Sequence, residues 1–225
     1  MAWRWGLFFY MAAVTVAAFL YAPLAKKLHE QTRIIYWHIP VAWVTVVAFV
    51  VAGWHSWRYL ATRDLGEDAR AAAAAELGLL FCVLATVSGS IFSKGMWGAY
   101  WNWDPRQTSI FFLLLIYAAY LTLRAAVEDP ARRARLAAVY GLFAAAVTPL
   151  LIFVVPRLFF TLHPDPIVNA GGKLEMHPRM FQVFMAALGG FTVLFFWVYS
   201  LDVRIRLHQL RQDGVLPGAG KDRSA

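Results

Sequence analysis

The chain has 225 residues, of which 60% are apolar and 15% are charged, with a formal net charge of +8 and one cysteine. Soluble domains carry about 45–50% apolar and about 25% charged residues, so this composition is typical of a membrane protein. The single cysteine excludes an intrachain disulfide and a cysteine-rich metal site, and the lack of a GxxxxGK[ST] motif excludes a P-loop ATPase.

Six stretches without Asp, Glu, Lys or Arg follow one another along the chain. Their lengths run from 17 to 24 residues, and they cover residues 5–25, 34–57, 77–93, 107–123, 136–156 and 180–201. A membrane helix needs roughly 17–25 apolar residues to cross the hydrocarbon core. The pattern therefore predicts an all-α integral membrane protein with six transmembrane helices. We expect residues 1–203 to form one membrane domain and residues 204–225 to form a partly disordered cytoplasmic tail.

The positive charges favour one side of the membrane. Thirteen Lys and Arg lie before the first stretch, around 58–76 and 124–135, and after residue 201, against eight in the three other connections. Cytoplasmic loops are enriched in Lys and Arg, so we expect both termini to be cytoplasmic and the other three loops to face outward. The positive charge thus indicates topology and contact with membrane lipid, and no nucleic acid partner is expected.

A histidine lies on the outer side, where the second charge-free stretch opens. His38 stands in the segment from Tyr36 to Pro40, and Pro40 is expected at the first helical position, where proline removes no helical hydrogen bond. His38 then lies at the boundary between membrane and water. A lone histidine in such a place is usually solvated or hydrogen bonded to backbone, so His38 alone indicates no function.

The outer loop between the third and fourth stretches is dense in aromatic residues. Four large rings are followed by an acid, a proline and a base: Trp97, Tyr100, Trp101, Trp103, Asp104, Pro105 and Arg106. Two interpretations stay open, a belt of rings at the lipid headgroups or a shelf for a flat π-rich ligand. Asp104 is expected either to pair with Arg106 and fix the loop or to mark a docking surface.

A second outer histidine, His163, follows the fifth stretch directly. Two histidines on separate loops that flank an aromatic segment resemble the paired axial imidazoles of a porphyrin iron. His29 and His177 are weaker candidates, because each lies in a polar or glycine-containing loop. Cations that suit the propionates of a porphyrin also lie outside, namely Arg106, Arg157, Lys94, Lys173 and Arg179.

These motifs together resemble a known family. The segment from Trp97 to Ser109 resembles the tryptophan-rich WWD signature of the membrane proteins that handle haem in cytochrome c maturation. The segments from Tyr36 to Pro40 and from Thr161 to His163, with the chain length and the six spans, are similar to the haem exporter protein C (CcmC) branch. The resemblance covers nearly the whole chain except the C-terminal tail. Tyr100 departs from the pattern, since tryptophan is common there, and Pro105 stands where alanine is common.

The resemblance implies a haem site on the outer face of the bacterial inner membrane. Haem b is then bound non-covalently and transiently, with His38 and His163, rather than His177, as the axial ligands of the iron. The matched residues of the segment against the porphyrin are Trp97, Tyr100, Trp101, Trp103 and Asp104.

The resemblance also implies partners. Proteins of this family pass haem to a membrane-anchored haem chaperone, CcmE, and sit in an ABC-type complex with CcmA-type ATPase and CcmB-type membrane subunits, and with a small CcmD-type subunit. We therefore expect a haem-delivery subunit and not an enzyme.

Three alternatives stay open. The first is a membrane permease subunit of an ABC transporter for haem or another small molecule, with residues 58–76 or 124–135 as its coupling helix. The second is a transporter or channel without an ATPase, which the weakly polar spans do not favour. The third is a larger cytochrome c synthase with the same signature, which carries histidines inside the membrane. This chain has no histidine at the middle of a predicted span.

Overall fold

The computed structural model describes residues 2–26, 28–163 and 176–216, and the regular structure within these ranges is helical. Six helical stretches are long and apolar enough to cross a membrane, which confirms the predicted all-α membrane fold. The α-helices are α1 (Ala2–Leu20), α2 (Ile35–Thr62), α3 (Leu65–Trp97), α4 (Pro105–Ala126), α5 (Pro130–Pro149), α6 (Val155–Leu158) and α7 (Pro178–Gln212). A 3-10 helix (His29–Ile34) leads into α2, and a π-helical turn (Leu150–Val154) joins α5 to α6.

Pro40 does not occupy the first helical position, as the sequence predicts, but lies inside α2. The 3-10 helix before α2 already turns the chain into helical geometry, so the α-helix begins at Ile35. As a result, His38 lies in the first turn of α2, on a rigid element rather than on a loop.

The helices extend beyond the charge-free stretches at the end opposite the aromatic loop. Only residues 63–64 separate α2 from α3, so most of the segment 58–76 is helical. α7 continues to Gln212, and the predicted domain boundary at residue 203 therefore falls within a helix. Arg206 stabilises this extension by donating to Glu76 at 2.6 Å and to Asp202 at 3.1 Å. Residues 217–225 of the predicted tail lie outside the described residues.

Buried ion pairs tie the helices together at the same end. Arg124 of α4 donates to both carboxylate oxygens of Asp68 of α3, at 2.6 and 2.8 Å. On the neighbouring residue, Glu67, His55 makes a contact of 2.6 Å and two arginines make contacts of 3.3 Å. Asp68, Glu67 and Arg124, which lie between the predicted spans, thus form ion pairs between helices.

α2 and α3 pack closely at the centre of the bundle. Residues 71–75 of α3, all alanine, are buried, and a Cβ at Gly78 would stand 2.5 Å from the Phe49 ring of α2. Phe49 also stacks on Tyr117 of α4, with ring centroids 3.4 Å apart. Small residues let membrane helices approach closely. This packing fixes α2, α3 and α4, which carry most of the candidate site.

The loop between α3 and α4 has defined ends. α3 ends at Gly98, whose φ of +80° few other residues adopt. α4 begins after Asp104, which caps the helix, and Pro105 occupies the first helical position. The aromatic segment is therefore a short connection held at both ends.

Candidate functional site

One face of α3 contacts both candidate histidines. The Nδ1 atom of His38 lies 2.9 Å from Oγ of Ser88, and a Cβ at Gly89 would stand 2.9 Å from Cε1 of His38. The ring of His163 lies near that of Phe92, with centroids 6.5 Å apart. Residues three and four apart share one face of an α-helix. The structure thus brings the two histidines, which are distant in sequence, to adjacent positions about one helical turn apart along α3.

His163 is fixed by the buried carboxylate of Asp104. Its Nδ1 atom lies 3.0 Å from Oδ1 of Asp104. The same carboxylate accepts hydrogen bonds from the Thr161 hydroxyl at 2.8 Å, the Leu162 N–H at 2.7 Å and the Arg106 N–H at 2.9 Å. Asp104 therefore connects the start of α4 to the segment that follows α6.

Of the two roles predicted for Asp104, the docking surface is wrong, whereas the pairing with Arg106 that fixes the loop is made through the Arg106 backbone. Asp104 is only 4% exposed, so it offers no surface for docking. It binds the backbone N–H of Arg106, and the described residues include no ion pair between the two side chains. The Asp104 carboxylate caps α4 by accepting a hydrogen bond from the Arg106 backbone N–H. The Arg106 guanidinium therefore stays available for another group.

The Arg106 guanidinium carries a buried donor without a partner. Among the described residues, no acceptor forms a hydrogen bond with its Nε atom. Buried donors are normally satisfied, and guanidinium groups bind carboxylates particularly well. An anionic ligand such as a porphyrin propionate fits this position.

Hydrogen bonding assigns the protons on both imidazoles. An ionised carboxylate only accepts, so Nδ1 of His163 carries the proton that it donates to Asp104. The Ser88 hydroxyl also lies 2.7 Å from the Leu84 carbonyl, and the tautomer that fits a hydroxyl directed at this carbonyl is the one in which Nδ1 of His38 donates to Ser88. In both neutral rings the unprotonated nitrogen is then Nε2, which is available to bind a metal.

The electrostatics of the His163 and Asp104 pair support this assignment. Burial lowers the pKa of His163; the attraction of Asp104 opposes this, and the charge of Arg106 adds to it. Burial alone raises the pKa of Asp104, but the hydrogen bonds from Arg106, Leu162 and Thr161 and the charge of His163 lower it overall. The pair is therefore a carboxylate and a neutral imidazole near neutral pH.

Trp97 is the residue of the aromatic loop that lies beside His163. Its ring lies beside that of His163, with centroids 5.1 Å apart, and meets Phe92 edge-on at 5.5 Å. A flat ligand that contacts the His163 ring therefore also comes close to the Trp97 ring.

The other aromatic residues of the loop form a separate group at the rim. Trp101 and Trp103 meet edge-on at 5.7 Å, and both pack against Phe111 of α4. Tyr100 and Trp103 are 60% and 66% exposed. Trp103 also has a left-handed backbone, with φ of +56°, and such strain in a non-glycine residue often marks functional loops.

The other predicted cations are partly occupied elsewhere. Lys94 donates to the backbone carbonyl that ends α3, at 2.8 Å, and Arg157 donates to a carbonyl of the π-helical turn. Arg179 lies over the ring of Tyr21, 5.3 Å from its centroid. Lys173 lies outside the described residues. Of these candidate cations, Arg106 is the one within the described ranges whose charge acts on both histidines.

His177, the competing ligand candidate, caps the start of α7. Its Nδ1 atom accepts a hydrogen bond from the Arg179 N–H at 3.2 Å. A neutral imidazole that accepts at Nδ1 carries its proton on Nε2. In this arrangement His177 is not prepared to bind a metal through Nε2, whereas His38 and His163 are.

The sequence interpretation missed three residues of the site. Ser88 and Gly89 form the surface on which His38 rests, and Thr161 supports Asp104. The run Ser88, Gly89 and Ser90 within a charge-free stretch was the available signal, because small polar residues there permit close approach of another helix.

Comparisons with known proteins identify the family of the chain. The family model of heme exporter protein C matches residues 1–215. The chain is 35% identical to the heme exporter protein C of Bradyrhizobium diazoefficiens, over 87% of this chain and 76% of that protein. It is 30% identical to that of Paracoccus denitrificans, over 91% of this chain and 86% of that protein.

Relatives of the same kind occur beyond these two. The heme exporter protein C of Escherichia coli K12 is 30% identical, over 86% of this chain and 73% of that protein. A ccmC-like mitochondrial protein of Arabidopsis thaliana, named for cytochrome c biosynthesis, is 26% identical over 82% of this chain and 69% of its own length. The match to the family model spans all six membrane helices. The chain therefore belongs to the heme exporter protein C family, whose members take part in haem delivery for cytochrome c maturation.

Proposed function

We propose that this chain binds haem b non-covalently between His38 and His163 and delivers it to a haem chaperone. One observation carries the proposal: two imidazoles lie along one face of α3, each with Nδ1 in a hydrogen bond and Nε2 available. Haem is the cargo, and its iron offers two axial positions that imidazole nitrogen suits. The hydrogen bonds at Nδ1 of both rings favour the tautomer that such binding requires.

The surroundings of the histidines fit the rest of a porphyrin. Trp97 provides an aromatic wall beside His163, and the Arg106 guanidinium suits a propionate. Tyr100, Trp101 and Trp103 border the pocket on the side of α4. Asp104 acts through His163, since its carboxylate is buried in contacts with protein groups.

Delivery requires an exposed edge at which a partner can dock. Tyr100, Trp103 and Phe160 are 60%, 66% and 89% exposed at this end of the molecule. Exposed apolar patches of this kind mark interaction surfaces. We infer that a CcmE-type chaperone docks there, and that CcmA-, CcmB- and CcmD-type subunits complete the complex through other surfaces.

We place the chain in the bacterial inner membrane with the haem site facing the periplasm. In the sequence, the three connections on the side of the site contain eight Lys and Arg and the segments on the opposite side contain thirteen, which supports this orientation. Haem delivery is favoured over an independent permease, because the described connections 63–64 and 127–129 are too short for a separate coupling helix. The chain acts without its own ATPase or enzymatic turnover.

A transfer assay tests this proposal. Haem-loaded protein in lipid nanodiscs is mixed with the soluble domain of a CcmE-type chaperone, and haem on the chaperone is measured over time. We expect transfer from the wild type and none from the His38→Ala/His163→Ala double variant. Transfer from the double variant at the wild-type rate would contradict the proposal.

The docking edge is tested in the same assay. A Trp103→Ala/Phe160→Ala variant keeps both histidines and loses exposed apolar surface, so we expect slower transfer with unchanged haem binding. Trp57→Ala, an exposed tryptophan at the opposite end of α2, is the matched control. Equal transfer rates for all three proteins would show that the chaperone docks elsewhere.

A further inference from the structure

We propose that the two axial imidazoles are unequal, with His163 the retained ligand and His38 the ligand released first when haem is handed over. This inference rests on the proposed function, because it takes both residues as ligands of the iron. It deepens that function by assigning an order to the two ligand exchanges.

The groups behind the two rings differ in chemistry. His163 donates from Nδ1 to a carboxylate, at 3.0 Å, whereas His38 donates to a neutral hydroxyl, at 2.9 Å. A carboxylate behind a ligating histidine raises the basicity of the nitrogen that binds the metal. A hydroxyl oxygen without charge does so less, so His163 is the stronger donor to iron.

Burial strengthens the hydrogen bond between His163 and Asp104. The side chain of Asp104 is 0% exposed and that of His163 is 17% exposed. Hydrogen bonds to charged groups are stronger where the local dielectric is low. The Ser88 hydroxyl, directed at the Leu84 carbonyl, is by contrast a neutral acceptor toward His38.

The two rings also differ in the bonds that fix them. Asp104 is held by the Thr161 hydroxyl and by the backbone N–H groups of Leu162 and Arg106, so the partner of His163 cannot easily shift. Thr161 additionally accepts from the His163 backbone N–H at 3.2 Å. The His38 ring contacts only uncharged groups among the described residues, namely the Ser88 hydroxyl, the Ala85 backbone carbonyl and the backbone at Gly89, and none of these is itself fixed by a network like that of Asp104.

The proposed release is a ligand substitution without transfer of electrons. The bond between iron and Nε2 of His38 breaks, and its electron pair returns to the neutral ring. The proton of that ring stays on Nδ1, in its bond to Ser88. A donor atom of the accepting partner forms the new bond to iron, while His163 remains bound until a second exchange.

Matched single variants test the order. His38→Gly and His163→Gly each remove one ring, and haem retention is measured after gel filtration of protein loaded with equal haem. We expect the His163→Gly variant to bind haem at least about tenfold more weakly than the His38→Gly variant, because the stronger donor is lost. Equal retention, or the reverse order, would overturn the inference.

Variants behind the rings provide a second test that leaves both histidines in place. For Asp104→Asn we expect a loss of about 10- to 100-fold in haem affinity and a raised midpoint potential of the bound haem. The potential rises because a less basic imidazole stabilises ferric iron less. For Ser88→Ala we expect a smaller change in both quantities.

Thr161→Val separates positioning from mere folding. This change removes the hydrogen bond from Thr161 to Asp104 and the bond that Thr161 accepts from the His163 backbone N–H, but leaves the Asp104 carboxylate against the His163 ring, so the midpoint potential should stay at the wild-type value. An unchanged potential in Asp104→Asn, or the same shift in Thr161→Val, would reduce Asp104 to a structural role and overturn the inference.

Different outcomes would contradict the proposed function and the inequality of the two ligands. If the wild type lacks a bis-imidazole haem spectrum, or the double histidine variant keeps it, the proposed function and this inference both fall. If that spectrum is present and depends on both histidines, but the two glycine variants lose haem equally, only the inequality of the ligands is wrong.

Discussion

The His38 ring lies close against α3 because Gly89 has no side chain there, and it forms a hydrogen bond with Ser88. Neither residue has a functional group that sequence reasoning would assign to haem. Their importance comes from the crossing of α2 over α3, which brings residues 38 and 88–89 together. A motif search finds the two histidines, but the groups that support them follow only from the packing of helices.

Gly89→Ala tests the close contact at His38. Alanine favours an isolated helix over glycine by about 1 kcal/mol, so the substitution alone should not weaken α3. Its Cβ would stand 2.9 Å from Cε1 of His38 and displace the ring, so we expect haem affinity to fall by about tenfold.

Gly189→Ala is the matched control for this prediction. A Cβ at Gly189 meets no atom within 4 Å, so haem binding should stay at the wild-type level. Isothermal titration or spectroscopic titration with haem measures both variants. Wild-type affinity in Gly89→Ala would show that the His38 ring is not held where the structure places it.

Arg106→Ala tests the unpartnered guanidinium. A hydrogen bond to a charged group contributes about 1.5–3 kcal/mol, so we expect haem affinity to fall by about ten- to hundredfold. The iron spectrum should be unchanged, because both imidazoles remain. Arg135→Ala, exposed at the opposite end of the bundle, is the control. If Arg106→Ala binds haem as well as the control does, the propionates lie elsewhere.

α3 is the element on which the site depends, since it contacts both histidines and ends at the aromatic loop. Its apolar part was predictable, because a stretch without charge is the signal of a membrane helix. Its start was not. Asp68 and Glu76 lie within helix because Arg124 and Arg206 neutralise them, and pairing across such a distance leaves no local pattern in the sequence.

Asp68→Ala tests this packing of α3 against α4. Removal of one partner of a buried ion pair costs about 3–5 kcal/mol, because the other charge remains buried and unpaired. We expect a clear drop in the thermal unfolding temperature in detergent, with the haem spectrum of the folded protein unchanged.

The double variant Asp68→Ala/Arg124→Ala completes this test. It leaves no unpaired charge, so it should be less destabilised than the sum of its two single variants. Asp213→Ala, exposed after α7, is the control. A melting temperature of Asp68→Ala equal to that of the control would mean that the pair contributes nothing to the fold.

At the scale of the whole molecule, the two ends of the bundle differ in chemistry. One end gathers the histidines, the aromatic rim and Arg106, and the other gathers the ion pairs of Asp68 and Glu67. The number and order of the spans followed from the sequence. The meeting of His38 with His163 did not, because it depends on how α2, α3 and the segment after α6 pack.

Cysteine labelling tests the orientation of the two ends. The native Cys82 is buried, so it should stay unlabelled. In spheroplasts with a membrane-impermeant maleimide, we expect Phe160→Cys to react, because residue 160 is exposed at the haem end. Arg132→Cys, at the opposite end, should react only after the membrane is disrupted. The reverse pattern would place the site in the cytoplasm.

The absorption spectrum of the purified protein tests the central claim most directly. We expect the wild type to carry extractable haem b with two axial imidazoles, and the single variants His29→Ala and His177→Ala to keep the same spectrum. The His38→Ala/His163→Ala double variant should lose it. A double variant that retains haem with the wild-type spectrum would contradict the account.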